Sequence, residues 1–128
     1  MKIIKNLVIT SLISFSTFTF SDVAEVYTWK AAPGKDAELI QAFREAAVIH
    51  EKEGATVSIE AMNVGDTMGT YQYVLRWDDA VEWGISKDKI NTSPEWVEFG
   101  QKYVPGSLGE MTSSLSGVNL DNTVKASD

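Results

Sequence analysis

The sequence contains no cysteine and a single histidine, His50. The first absence excludes disulfides, thiolate metal sites and a lipid-modified N-terminal cysteine. The second leaves no group of side chains with the number and spacing of a metal site, so no metal is expected. The chain also lacks a glycine-rich phosphate loop, a G-x-S-x-G nucleophile motif and a Ser-His-Asp arrangement, so no cofactor is expected either. Basic residues are scarce, 11 Lys and Arg against 18 Asp and Glu, for a net charge of −7. Nucleic acid and anionic lipid are held through a basic footprint, which excludes them as expected partners.

No apolar run reaches the roughly 20 residues that a membrane-spanning helix needs. The uncharged stretch Leu7 to Phe20 is 14 residues long, contains six Ser or Thr, and follows Lys2 and Lys5. Thr19 and Ser21 supply small residues at the −3 and −1 positions for cleavage after Ser21. These features describe a secretory signal peptide over residues 1–21. The expected location is periplasmic or secreted, with no membrane association after cleavage; retention as an anchor is the alternative. Cleavage removes two lysines and no acid, taking the charge from −7 to −9 over the remaining 107 residues. That length holds one domain.

The rest reads as alternating short elements. AEVYTWK, Ala24 to Lys30, is rich in strand formers and stops at Pro33-Gly34. From Asp36 to Glu53, Leu39, Ile40, Phe43, Ala46, Ala47 and His50 recur at three- and four-residue steps, the period of an amphipathic helix, with Gly54 as its stop. TVSIEAMNV, Thr56 to Val64, alternates as a strand. GDTMG then turns into a third strand, Thr70 to Trp77, to make a hairpin. Asp79 is placed to cap a helix, with Glu82 three residues on. That helix is expected to break near SKDKINTS and restart at Pro94. Leu108 to Val118 reads as a fourth strand, and residues 119–128 as a flexible tail.

The order strand, helix, strand, strand, helix, strand is that of a ferredoxin-like βαββαβ domain, an α+β fold with a four-stranded antiparallel sheet, here spanning residues 22–118. Its helices cover one sheet face. The bare face calls for a partner, and a second copy related by two-fold symmetry supplies one, so a homodimer is expected.

Strand one running into KAAPGKDAEL, the hairpin ending LRWDDAVEW and the turn TSPEWVEFGQKY resemble the dimeric α+β barrel superfamily, in particular its antibiotic biosynthesis monooxygenase-like branch. The resemblance covers about Ala24 to Val118. It implies two sheets packed as a barrel across a dimer, and in each subunit a pocket between sheet and helices for a small apolar or aromatic molecule. It also implies two functional classes: oxidation of an aromatic substrate without a cofactor, and binding without reaction, the latter including a non-catalytic envelope ligand-binding protein or a structural dimer. Haem-degrading members carry a histidine on the last helical turn and an asparagine in strand one, where this chain has Gly100 and Tyr27, so haem is not implied.

Within that frame His50 is the candidate catalytic base, because imidazole titrates where a phenolic or enolic proton can be exchanged; the alternative is a boundary histidine hydrogen-bonded near its helix end. Tyr27 and Trp29 share one face of strand one, and Tyr73 and Trp77 one face of strand three. With Trp96 they are the candidate substrate-binding residues. Arg76 joins this set if its strand face meets the helices; if it points the other way, an ion pair with a carboxylate such as Glu60 is expected. Asp78 and Asp79 diverge as neighbours at a helix start, which favours capping over paired acid chemistry.

Overall fold

The computed structural model describes residues 22–103 and 106–118; the expected signal peptide and the expected C-terminal tail lie outside them. The elements run β1 (Val23–Ala31), α1 (Asp36–Lys52), β2 (Thr56–Ala61), β3 (Tyr71–Trp77), α2 (Ala80–Asn91), α3 (Pro94–Lys102) and β4 (Gly109–Val118). The strands form one antiparallel sheet in the order β2-β3-β1-β4. This is the expected ferredoxin-like α+β arrangement, with the second helical region divided into α2 and α3.

Local chemistry accounts for most boundaries. Gly54, with φ of +103°, follows the end of α1 in a backbone conformation that side-chain-bearing residues rarely adopt. The carboxylate of Asp79 accepts from the Glu82 backbone N–H at 2.8 Å, satisfying one open donor at the start of α2. The Ser93 hydroxyl accepts likewise from the Trp96 backbone N–H, and Pro94 fills the first turn of α3, where its missing N–H is no loss. Gly109 starts β4 so close to β1 that a Cβ there would run into the Lys30 carbonyl oxygen.

One expectation is corrected and another made more definite. The second strand ends at Ala61, although the hairpin continues in two backbone bonds between Met62 and the turn, Met62 N to Thr70 O and Gly69 N to Met62 O. The break expected near SKDKINTS falls at the end of that stretch: α2 runs through Ser86 to Asn91, and α3 restarts at Pro94. Ser86 and Ile90, four residues apart, are both buried there and hold the segment against the sheet. Tertiary packing overrides a locally polar sequence.

Register decides which face does what. Val23 pairs with Trp77, Glu25 with Leu75, Tyr27 with Tyr73 and Trp29 with Tyr71. Val57, Ile59 and Ala61 of β2 fall on the same side, opposite Leu75, Tyr73 and Tyr71. This face meets the helices, and Leu39, Phe43 and Ala46 of α1 close the core against it. The other face carries a central row of Ser58, Val74, Val26 and Leu115. On this face Leu115 is 65% exposed, while Val74 and Thr28 are 5% and 6% exposed.

Candidate functional site

A cavity of about 460 Å³ lies between the aromatic face of the sheet and the helices. Its sheet-side wall includes Tyr27 and Trp29 from β1, Tyr73, Leu75 and Trp77 from β3, and Met111 from β4. Phe43 and His50 of α1, Ile90 of α2, and Trp96 and Phe99 of α3 close it from the helix side. The rings form a continuous run of contacts. Trp29 meets Phe43 edge-on at 6.0 Å between centroids, Phe43 meets Tyr73 at 5.4 Å, and Tyr73 meets His50 at 5.6 Å. The run continues from His50 to Trp96 at 4.7 Å and from Trp96 to Phe99, stacked at 5.1 Å. Offset and edge-on contacts of this kind lock each ring by its neighbours, so the wall is preformed.

Two polar stations interrupt this apolar surface. At the first, His50 Nδ1 and the Tyr73 hydroxyl are 2.7 Å apart. Burial pushes the imidazole pKa down to about 4, against smaller opposing effects of a hydrogen bond to the Ala46 carbonyl and of the Glu25 charge; Lys87 adds to the depression. The ring is therefore neutral at physiological pH, with one donor and one acceptor nitrogen. Burial, with the charge of Glu51 behind it, raises the Tyr73 phenol, so its proton stays on.

The second station is built around Glu25, which is 4% exposed. One carboxylate oxygen accepts from the Tyr27 hydroxyl at 2.6 Å and from the Lys87 ammonium at 3.1 Å; the other accepts from the Trp83 indole N–H at 2.7 Å. Burial alone would raise the Glu25 pKa. The bonds from Tyr27, Trp83 and Lys87, together with the ammonium charge, outweigh it and hold the carboxyl below its usual range. Tyr27 is shifted the opposite way, upward, by burial and by donating to that carboxylate. A buried charge that keeps its ionised form through three donors is a fixed, preorganised feature of the wall. The Trp77 indole N–H, by contrast, is buried with no acceptor among the described residues.

Of the residues singled out from sequence, Tyr27, Trp29, His50, Tyr73, Trp77 and Trp96 all line this one cavity. Arg76 does not. It alternates with Leu75 and Trp77, so it emerges on the open face, exposed, and the Arg76 reading as a pocket residue is withdrawn. The alternative ion pair with Glu60 does not form either. Arg76 sits opposite Thr56 while Glu60 sits opposite Gln72, which puts the two charges at different ends of that face.

The sequence reading missed Glu25, Ser86 and Lys87. Glu25 had a signal, since it shares the parity of Val23, Tyr27 and Trp29, and a carboxylate on an otherwise apolar strand face needs partners. Lys87 and Ser86 were hidden inside the stretch read as a helix break.

No family model matches the sequence, and no curated protein matches it. Solved structures do. A NIPSNAP domain protein from Burkholderia xenovorans superposes with a TM-score of 0.63 at 16% identity, over 82% of this chain and 99% of that one. A NIPSNAP family protein from Agrobacterium tumefaciens gives 0.60 at 14% identity, over 80% and 94%. An antibiotic biosynthesis monooxygenase-like protein from Chloroflexus aurantiacus gives 0.56 at 15% identity, over 79% and 95%. The chain shares their ferredoxin-like α+β fold. At these identities the likeness is one of fold, which hosts many functions, and the chemistry has to be argued from the cavity. In this ferredoxin-like chain the sheet supplies the aromatic wall and the Glu25 carboxylate, while α1 and α2 bring His50 and Lys87 to it.

Proposed function

We propose that the protein is a periplasmic or secreted small-molecule-binding protein that holds an apolar or aromatic ligand in the cavity between sheet and helices. The observation that carries this reading is the cavity: about 460 Å³, within the roughly 300–1,000 Å³ of ligand pockets, lined by locked rings and only a few polar groups. Binding is checked by titrating the purified protein with a panel of phenolic and quinol compounds and following quenching of its Trp fluorescence. Saturable quenching is expected from ligands that contact Trp29 and Trp96. A panel without any saturable ligand counts against the reading.

A second reading is oxidation of the bound aromatic without a cofactor. It is favoured by the neutral His50 in the cavity wall: in the tautomer whose Nδ1–H donates to the Tyr73 hydroxyl, Nε2 is an acceptor for a phenolic or enolic proton. Its low pKa makes it a weak base, so the proton transfer is uphill and requires stabilisation of the substrate anion. Turnover under oxygen that disappears in His50→Ala supports the enzyme. Turnover that survives the substitution removes His50 from the role of base, and binding without turnover leaves the protein a binder.

The proposed working unit is a homodimer joined through the open sheet face. The apolar row Val74, Val26 and Leu115 lies at the centre of that face with polar residues on both sides, the layout of an interface with an apolar middle and a polar rim. Sedimentation at micromolar concentration is expected to show a dimer, and Leu115→Glu to shift it towards monomer. A wild-type monomer under those conditions removes the dimer from the proposal.

A further inference from the structure

The two polar stations of the cavity are not equivalent. At His50 the ring meets the Tyr73 hydroxyl and the Ala46 carbonyl. At the other end, α2 places two cavity-lining polar side chains side by side next to the buried carboxylate of Glu25. Lys87 donates one of its three N–H bonds to Glu25 and keeps its side chain 39% exposed. Ser86 is 2% exposed and its side of α2 lines the same cavity. A hydroxyl in a mostly apolar wall can both donate to and accept from a polar group of a ligand. The cavity that Ser86 borders is also lined by the Glu25 carboxylate and the Lys87 ammonium.

Charge narrows what that polar group is. Glu25 and Lys87 are paired, so the station is neutral overall while rich in both donors and acceptors. A carboxylate on the ligand would gain from Lys87 and be repelled by Glu25, and a cation would meet the reverse. A neutral hydroxyl suffers neither repulsion: it accepts from Lys87 or Ser86 and donates to Glu25, whose oxygens have lone pairs left beyond the three bonds they already accept.

We propose, building on the ligand-binding reading above, that Glu25, Ser86 and Lys87 form a head-group site for a neutral hydroxyl, and that the natural ligand is an uncharged aromatic alcohol or phenol with its apolar body against Trp29 and Phe43. Ser86 and Lys87 set specificity in this arrangement, and Glu25 holds the pair neutral.

The test uses four probes with one apolar body: naphthalene, 2-naphthol, 2-naphthoate and 2-naphthylmethylammonium, titrated at neutral pH. For the unmodified protein 2-naphthol is expected to bind about tenfold tighter than naphthalene, the gain from one or two well-placed hydrogen bonds, and tighter than either ion. Ser86→Ala is expected to cut that preference several-fold while leaving naphthalene binding unchanged. Glu25→Gln leaves the ammonium without its counter-charge and is expected to turn the order in favour of 2-naphthoate; Lys87→Met, at a half-exposed site, turns it towards the ammonium. These reversals are readouts that a merely structural role would not produce.

Equal binding of naphthalene and 2-naphthol, or an ion preferred by the unmodified protein, overturns the head-group site and leaves the cavity reading standing. Failure of all four probes to bind overturns both.

Discussion

Glu25→Ala is expected to lower the free energy of unfolding by about 2–4 kcal/mol. The carboxylate is the common acceptor for the Tyr27 hydroxyl, the Trp83 indole and the Lys87 ammonium. Truncation leaves the first two donors facing an apolar wall, where an unmet donor costs about 1–3 kcal/mol. Lys87 loses less, because its side chain is partly exposed and water can take over. Glu25→Gln keeps an acceptor in place and is expected to cost less than the alanine variant. Urea unfolding checks this through a lower midpoint at unchanged slope. A loss below about 0.5 kcal/mol, the range of ordinary surface substitutions, would show that the carboxylate organises nothing.

Acidification is expected to remove on the order of 3 kcal/mol of stability through His50 alone. The imidazole pKa is about 4 in the folded chain against an ordinary value of 6.5. Between those values the unfolded chain binds more protons than the folded one, so stability rises with pH there. Read downward, the contribution is fully present above about 6.5 and is lost as the pH falls to about 4. Glu25, whose folded pKa is also depressed, adds a loss of the same sign that starts only near its ordinary value of 4.5. His50→Gln, whose amide can donate to or accept from Tyr73 and cannot titrate, is expected to flatten the higher-pH part of the curve and leave the lower part. Because His50 is the only histidine, its ring gives a single titrating imidazole signal by NMR. Titration of that signal at or above 6.5 would contradict the buried placement.

The fold was legible because it rests on periodicities. The strand formers of AEVYTWK, with Tyr27 and Trp29 on one face, marked a strand, and the spacing of Leu39, Phe43 and Ala46 marked the helix that covers it. Asp79 and Pro94 announced helix starts through capping chemistry that acts over three or four residues, and the structure places both there. The aromatic half of the cavity followed for the same reason, since residues sharing one strand face also share one wall. The polar half did not follow. Lys87 meets Glu25 across a sequence separation of 62 residues, and nothing local in SKDKINTS tells that one of its lysines turns inward.

Arg76 shows where the division falls. Its alternation with the aromatic residues was visible in YVLRW, but which alternate face would meet the helices depended on how β3 pairs with β1 and β2, and a slip of one residue exchanges the two faces. The sequence by itself determined the elements, their order, the ferredoxin-like α+β class and the shared faces of Tyr27 with Trp29 and of Tyr73 with Trp77, because short-range sterics and hydrophobic period act within a few residues. Only the tertiary structure decided that Arg76 points away from the cavity, that α2 continues through a polar stretch to Asn91, and that Glu25 and Lys87 pair in a cavity wall that Ser86 also lines. Those outcomes depend on register and on long-range burial, where the cost of an unpaired charge is set by neighbours that the chain brings together only once it has folded.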